Sequence, residues 1–445
     1  MSFHATLDQL IAILGASSQN LPSLDAKGIT TDTRSIQPGE VFLALRGERF
    51  DGHDFVRSAI EQGAIAAIVD SQFETGDLPV LIVQDTLQAY QAIGHWWRKQ
   101  FKIPIIAITG SVGKTTTKEL IAAVLSKYGK VLKTQANYNN EIGVPKTLLE
   151  LNSDHDFAVV EMGMRALGEI ALLSQIASPD ISVITNVGTA HIGRLGSREA
   201  IAQAKCELLA EMPKDSIAIL NYDNPLLLET AKTVWQGKSI TYGLQGGDLQ
   251  GQLIDTETLK VGENQFLLPL PGEHNALNFL AALAVIQALN LDASKLTSGV
   301  EVELLGGRAR RYELSNDVVI LDESYNAGLE SMLASLKLLA QTEGDRKIAV
   351  LGTMKELGDW SIQYHRQVGE KVKELNLDRL FILADPEEAE AMAIAAFPIP
   401  AETFTTYPEV IDRLNHFIQP GDRLLFKASR AVGLDRVVTA LIPSK

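Results

Sequence analysis

Short runs of apolar, often β-branched residues alternate with longer stretches of helical period along almost the whole chain. Near the start, Leu7, Leu10, Ile11 and Leu14 recur at the spacing of one helix face. Residues 41–45, 66–69 and 80–83 are apolar runs bounded by Gly, Asp or Pro and predict strands, with helix-period segments between them. Pro104 opens a second zone. Its first strand, 105–109, runs directly into a glycine-rich turn and then a helical pattern to about residue 127; residues 157–160, 181–185 and 217–220 predict further buried strands. This alternation predicts a mostly parallel sheet covered by helices on both faces. Residues 276–289, interrupted by Asn278 and Gln287, predict a buried helix and fall short of the ~18 apolar residues of a membrane span. A third zone begins at Gly306-Gly307-Arg308, a hinge or linker signal, and strand runs recur at 318–321, 348–351, 380–383 and 424–426. That is a doubly wound pattern, with ligands expected beyond the carboxyl ends of the strands; Asp322 and Ser429 are expected at or just past such ends. The expected division is 1–103, 104–305 and 306–445.

Composition narrows the class. The 445 residues are about three times the ~150 usual for one domain, and 46% hydrophobic content with 21% charged residues supplies several cores and excludes a disordered chain. A net charge of -15 repels polyanions, which argues against a nucleic acid as the main partner while leaving a local phosphate site open. Cys206 is the only cysteine, so an internal disulfide and a cysteine-based zinc cluster are excluded and a reducing compartment, the cytoplasm, is expected. The absence of Lys or Arg before Lys27 argues against a signal peptide, and a monomer is the expected state.

The strongest local signal is Thr109-Gly110-Ser111-Val112-Gly113-Lys114-Thr115-Thr116 between a strand and a helix. Glycines let backbone N–H groups close around phosphates, a helix N-terminus favours their charge, Lys114 can reach the terminal phosphates and the Thr115 hydroxyl can bind Mg²⁺. Ile108 stands where the full Walker pattern has its first glycine; a glycine turn beside a surface lysine is the plainer reading. Glu161 and His191 are isolated polar residues after apolar strands, where a carboxylate suits a nucleotide-bound Mg²⁺. A hydrogen-bonded structural histidine is the alternative for His191. Lys205, in the helical stretch 198–212, taken alone reads as a solvated lysine paired with a glutamate. The segment 134–145, with Asn137, Asn139, Asn140, Gly143 and Pro145, makes a poor helix or strand. It predicts an amide-rich loop that holds a polar substrate, or an ordinary turn.

In order and spacing these motifs resemble the Mur ligases, the ATP-dependent amide-forming enzymes of peptidoglycan precursor synthesis. The resemblance spans nearly the whole chain and adds Ala204-Lys205-Cys206-Glu207, Gly272-Glu273-His274-Asn275 with Asn278, Gly307-Arg308 and Lys427-Ala428-Ser429-Arg430. It implies three α/β domains: a small N-terminal one for the UDP substrate, a central P-loop ATPase, and a Rossmann-like C-terminal one that binds the acceptor and closes on ATP. Thr31 to Arg34 with residues 38–47 and 50–55, residues 321–327 and residues 350–358 point, within the family, to the member that joins a UDP-muramoyl tripeptide to D-alanyl-D-alanine. The diaminopimelate-adding Mur ligase and folylpolyglutamate synthase are the nearest alternatives, and a non-catalytic nucleotide switch is the alternative from another class.

The resemblance also implies roles. Lys114 stabilises the migrating phosphoryl group, Thr115 and Glu161 hold Mg²⁺, His191 holds a second Mg²⁺, and Lys205 matches a lysine carbamylated by CO₂. His274, Asn275 and Asn278 match an adenine-side motif, although they could simply cap or pack a helix. Arg308 and Asp322 match the C-terminal grip on ATP. Asn137, Asn140, Tyr325, Asn326, Lys427, Ser429 and Arg430 are expected on the substrates. Thr33, Arg34, Gly47, Asp51, Gly52 and His53 are the candidates for the UDP moiety, Asp51 and His53 being equally suited to a turn. Gly328-Leu329, Thr353, Ala136 and Ala428 depart from the family pattern.

Overall fold

The computed structural model describes residues 2–47, 50–304 and 306–442. Residue 305, on which the boundary between the second and third zones was drawn, and the last residues of the chain lie outside them. Three large sheets follow one another, beside a small antiparallel pairing of Ala5–Thr6 with Asp25–Ala26. The first, after helix α1 (Leu7–Leu14), contains β1 (Ser17–Gln19), β2 (Ile29–Thr30), β3 (Val41–Leu43), β4 (Ala66–Asp70) and β5 (Val80–Val83) in the order β1-β5-β4-β3-β2, parallel except at β1. Helix α2 (Thr86–Arg98) starts where the Asp85 carboxylate accepts the Leu87 and Gln88 N–H groups, an N-cap that terminates the preceding extended run. Its far end anchors the first sheet on the second: Trp97 Nε1 donates to the Leu151 carbonyl (3.0 Å), and Arg98 donates to the Ala177 carbonyl (3.0 Å) and Asp180 (2.8 Å).

The central sheet begins with β6 (Ile105–Thr109), the P-loop helix α3 (Lys114–Leu125), β7 (Val131–Lys133), α4 (Gly143–Leu149), β8 (Phe157–Glu161), α5 (Glu169–Ala177), β9 (Ile181–Ile184), α6 (Ile192–Leu195), α7 (Arg198–Glu211) and β10 (Ile217–Asn221). It continues with β11 (Lys238–Gly243), β12 (Leu249–Leu253), β13 (Thr258–Val261) and β14 (Asn264–Leu267), and closes with α8 (Glu273–Ala288). Strand order is β14-β13-β12-β11-β10-β9-β6-β8-β7, parallel from β12 to β7 and antiparallel at β13 and β14. Alternation along β6 explains why it lies at the centre. Ile105 and Ala107 enter one core and Ile106 and Ile108 the other, so helices must cover both faces. Each such fully buried Ile contributes about 1.5–3 kcal/mol.

The third sheet holds β15 (Arg310–Glu313), β16 (Val319–Glu323), β17 (Arg346–Gly352), β18 (Arg379–Leu383), β19 (Ala401–Phe404) and β20 (Asp422–Lys427), in the order β15-β16-β20-β17-β18-β19 with only β15 antiparallel. Helices α9 (Leu329–Gln341) and α10 (Ser361–Glu374) follow β16 and β17. No helix among the described residues is long and apolar enough to cross a membrane.

Three expectations change. Asp322 lies inside β16, paired with Phe426 of β20, because the strand runs on to Glu323 past the apolar run. The amide-rich segment stays irregular only as far as Ile142, and α4 then starts at Gly143 with Pro145 in its first turn. An N–H there has no intrahelical acceptor, so proline costs nothing. Strands β11 to β14 went unread, since their residues are largely polar and lack a buried apolar run.

Candidate active site

Strands β6, β8 and β9 end side by side, and the loops beyond them build one site. After β6 the chain turns through Gly110 (φ +155°) and Gly113 (φ +83°). A Cβ on Gly110 would strike the Thr185 hydroxyl, and one on Gly113 would come within 2.7 Å of Asn278 Oδ1, so both positions require glycine. The loop between them is clamped from β9. Asn186 accepts the Ser111 N–H at its carbonyl and the Val112 N–H at Oδ1 (both 3.0 Å), while Thr185 Oγ1 (2.7 Å) and Asn186 Nδ2 (3.0 Å) donate to the Val112 carbonyl. The Ser111 and Val112 N–H groups are therefore spent internally. Anion binding is left to the N–H groups at the start of α3, from Gly113 through Thr116, together with Lys114. Lys114 Nζ donates to the Gly110 (2.8 Å) and Ser111 (3.3 Å) carbonyls. Burial pulls Lys114 below the usual lysine range, with Glu161 opposing and Arg308 adding repulsion. A polyphosphate would relieve that repulsion. Thr109 is turned inward, its hydroxyl donating to the Met162 carbonyl (2.9 Å), and Thr115 is buried at the helix start.

Glu161 ends β8 almost fully buried. Its Oε1 accepts from Asn139 Nδ2 (2.8 Å), but its Oε2 is buried without a hydrogen-bond partner, and Lys118 Nζ stands 3.9 Å away. A buried carboxylate oxygen left unpaired suits a hard cation. Lys118 itself is enclosed, donating to the Thr134 carbonyl (2.8 Å) and pairing with Glu119 (2.9 Å). Asn139 and Asn186 were not among the sequence candidates. Asn140, which was, uses its side chain to accept the Gly143 N–H (2.9 Å) at the start of α4, and Asn137 is exposed.

Lys205 overturns the solvated reading. It is 1% exposed on α7, and no hydrogen bond or carboxylate pairs with its ammonium among the described residues. Burial, with Lys114 adding repulsion, holds it well below the usual lysine range. His191, in a left-handed conformation (φ +65°), caps α6, and its Nδ1 lies 2.5 Å from Glu356 Oε2 of the third sheet's loop. Burial lowers its proton affinity; Lys114 and Lys205 push the same way and Glu356 opposes, which places all four within electrostatic reach. Glu161, His191, Lys114 and Lys205 thus converge. No cluster of three or more His, Cys, Asp or Glu fit to hold a metal occurs among the described residues. A Mg²⁺ here would draw on Glu161, Thr115, phosphate oxygens and water, the usual make-up of a nucleotide-bound Mg²⁺.

On the far side, Asn278 accepts from Thr117 (3.1 Å) and donates to Asn275 (3.3 Å), which donates to the Pro271 carbonyl (2.9 Å). Asn278 ties α8 to the P-loop helix, and Asn275 braces Asn278. His274, lowered by burial and within reach of Glu323 and Lys427, borders a groove of about 560 Å³ between α8, α9 and α10. Arg308 stacks on the Tyr325 ring at 3.9 Å with its Nε buried and unpaired. Asp322 accepts from the Ser324 hydroxyl (2.6 Å), and burial raises its carboxyl. Lys427 approaches Glu323 (3.4 Å) and donates to the exposed Asn326's carbonyl (3.3 Å); Ser429 Oγ accepts the Lys355 N–H (2.9 Å), and Arg430 pairs with Asp435 (2.8 Å). Two of the departures are accommodated, whereas Ala136 takes a left-handed backbone (φ +46°) that glycine would adopt more easily. Thr353 is buried with its hydroxyl accepting the Asp385 N–H (2.9 Å), and Gly328 caps α9 beside Val112.

In the first sheet, Asp51 and His53 serve a turn. His53 Nδ1 faces Asp51 (2.6 Å), its Nε2 accepts the Asp70 N–H (3.1 Å), and Arg46 bridges Asp51 and Asp70. Gly52 lies where a Cβ would come within 2.7 Å of the Leu45 backbone, and Gly47 donates its N–H to the Phe50 carbonyl (2.9 Å). Arg34, beside Thr33, is the exposed cation here; its pairing holds Asp32 at about 2. Lys146 on α4 acts electrostatically on Asp32, so this turn faces the amide-rich segment.

Three family models match in succession: "Mur ligase family, catalytic domain" over residues 25–94, "Mur ligase middle domain" over 108–286 and "Mur ligase, glutamate ligase domain" over 307–430. A UDP-N-acetylmuramoyl-tripeptide–D-alanyl-D-alanine ligase of Synechocystis sp. is 60% identical over 416 residues, 93% of this chain and 91% of its own. The protein of that name from Escherichia coli is 38% identical over 98% of each. The crystal structure of MurF from Acinetobacter baumannii superposes with a TM-score of 0.91 at 33% identity over 99% of both chains. MurF ligase from Thermotoga maritima in complex with ADP gives 0.82 at 30% identity, covering 93% of this chain and 96% of its own.

Proposed function

The chain belongs to the Mur ligase family, and from that membership we propose that it joins D-alanyl-D-alanine to UDP-N-acetylmuramoyl-tripeptide, with ATP becoming ADP and phosphate. The observation that carries the reading is the meeting, at the ends of β6, β8 and β9, of a phosphate loop and a buried carboxylate oxygen without a hydrogen-bond partner, with Lys205 of α7, buried and without a hydrogen bond or ion pair among the described residues, in electrostatic reach of Lys114. A carboxylate does not react with an amine until it carries a leaving group. The γ-phosphoryl passes to the tripeptide's terminal carboxylate, giving an acyl phosphate and ADP. The dipeptide amine attacks that carbonyl, the tetrahedral intermediate expels phosphate, and the amine proton is lost to solvent. Positioning and charge neutralisation carry most of the rate.

Lys114 exchanges its two loop carbonyls for phosphate oxygens. Glu161 and Thr115 would hold Mg²⁺ and His191 a second one, and bound there they would supply charge neutralisation at the phosphates. A carbamate on Lys205 would turn an unpaired cation into an oxygen anion, which removes the electrostatic penalty of its burial. Asn278, braced by Asn275, holds α8 against the P-loop helix, with His274 beside them on the adenine side. Arg308 and Asp322 reach ATP from the third sheet, and Tyr325, Asn326, Lys427, Ser429 and Arg430 face the acceptor. We assign residues 1–103 to the UDP moiety through Thr33 and Arg34, residues 104–305 to ATP and residues 306–445 to the acceptor. Asp51, Gly52 and His53 shape the UDP-side turn. Closure at residues 306–308 excludes the water that would hydrolyse the acyl phosphate. The reaction takes place in the cytoplasm by a monomer, and the free, buried Cys206 fits that compartment.

Phosphate release measured over a panel of UDP-precursors and amine acceptors tests the reading. Release requiring both the UDP-muramoyl tripeptide and D-alanyl-D-alanine is expected; equal release with a tripeptide-free precursor or without acceptor would refute it.

A further inference from the structure

Glu356 is the one carboxylate that the third sheet's loop after β17 sends to the P-loop side, and its backbone is left-handed (φ +64°). That conformation is uncommon for a long side chain and persists only when the surroundings enforce it. Here they do. The Glu356 carbonyl accepts the Gly193 N–H (3.2 Å), and a Cβ on Gly193 would come within 2.6 Å of Gly358 N, so the two loops touch backbone to backbone. The same loop is pinned from behind by the Met354 N–H donating to His365 Nε2 (2.9 Å) and the Lys355 N–H donating to Ser429 Oγ (2.9 Å). The carboxylate forks, with Oε2 2.5 Å from His191 Nδ1 and Oε1 3.4 Å from Arg194. The contact with Glu356 does not meet hydrogen-bond geometry, and His191 Nδ1 is buried with no other partner among the described residues.

A histidine that binds a metal through one ring nitrogen commonly donates the other N–H to a carboxylate, which fixes its tautomer and ring direction. We propose that Glu356 is a positioning residue that holds His191 Nδ1–H, leaving Nε2 for a divalent cation, so that this cation binds tightly only when the third domain is docked. The inference rests on the reading of His191 as a metal residue. It adds that the orienting group comes from a different domain, which couples metal occupancy to closure.

Mn²⁺ binding to the full-length protein saturated with ADP, followed by electron paramagnetic resonance, tests it with His191→Ala, Glu356→Gln, Glu356→Ala and Arg194→Ala. His191→Ala should lose one Mn²⁺. Both Glu356 variants should weaken that Mn²⁺ alone by about 10–100-fold, leaving the other Mn²⁺ and ADP affinity unchanged, and Arg194→Ala should bind as the wild type. If His191→Ala keeps both ions, the metal reading of His191 fails and the proposal falls with it. If His191→Ala loses one ion while the Glu356 variants bind normally, only the proposal is overturned. Equal weakening by Arg194→Ala would also overturn it, because Glu356 would then act as a domain latch without orienting His191.

Discussion

Lys205→Met should make the protein more stable and inactive. The side chain sits on α7 among Ile201, Ala202, Leu208 and Leu209, all buried, and is itself 1% exposed with no partner for its ammonium among the described residues. Burying an unpaired neutral polar group costs about 1–3 kcal/mol on the scale of protein mutational data and an ammonium costs more, so about 1–3 kcal/mol is the floor for Lys205. Methionine nearly conserves the volume, so repacking costs little. In CO₂-depleted buffer the variant should therefore gain at least about 1–3 kcal/mol. At roughly 2–4 °C per kcal/mol for a unit of 150–250 residues, its melting temperature should rise by roughly 2–12 °C or more in differential scanning calorimetry. Added bicarbonate should raise the wild-type transition by mass action on a carbamate and leave the variant unmoved. Lys205→Ala should lose turnover and regain part of it with a short carboxylic acid. A Met variant that melts below the wild type, or that keeps full turnover, would refute the reasoning.

The same substitution at the other enclosed lysine should have the opposite sign. Lys118→Met leaves Glu119 its other partner, Lys133, but removes the one ion pair of the buried Glu161 among the described residues, so a loss of about 3–5 kcal/mol is expected in urea denaturation; a loss below about 1 kcal/mol contradicts it. Asn186→Ala frees the Val112 backbone from its clamp and should raise KM for ATP about tenfold, the effect of one hydrogen bond of ~1.4 kcal/mol, with a smaller change in kcat; an unchanged KM would count against the clamp. His365 is buried and neutral, accepting the Met354 N–H at Nε2 with Nδ1 on the Ser361 carbonyl (2.8 Å), and burial lowers its proton affinity below the usual 6.5. The folded state then binds fewer protons than the unfolded one. Its contribution is complete above pH 6.5 and is lost as pH falls below it, at up to about 1.4 kcal/mol per pH unit. His365→Gln should flatten that slope between pH 6.5 and 5.5, and an identical slope would be the contrary result.

The elements best legible in the sequence were those in which one local signal sufficed. Strand β6 and the P-loop announced themselves because β-branched residues, glycines and Lys114 are contiguous, and Glu161 and His191 because each follows an apolar strand. Strands β11 to β14 stayed hidden because stretches such as Lys238–Gly243 and Asn264–Leu267 carry mixed polarity at the edge of the sheet, where no buried run is needed. Residues whose role is a distant contact were invisible. Asn186 reaches back 74 positions to Val112, and Arg194 meets Glu356 across 162. Lys205 shows the limit from the other side: its helical spacing alone suggested solvent, and only the packing of α7 against the central sheet reveals that it is buried. Asp51 and His53 show the reverse, a pair with the look of a binding site whose groups are consumed by a turn.

Activation of the tripeptide carboxylate by phosphoryl transfer is the step on which the whole account depends. UDP-N-acetylmuramoyl-tripeptide labelled with ¹⁸O at both oxygens of its terminal carboxylate, incubated with ATP and D-alanyl-D-alanine, should yield one ¹⁸O in each phosphate released and one in the amide product, as read by mass spectrometry, together with one ADP. Unlabelled phosphate, or labelled product without ADP, would contradict it.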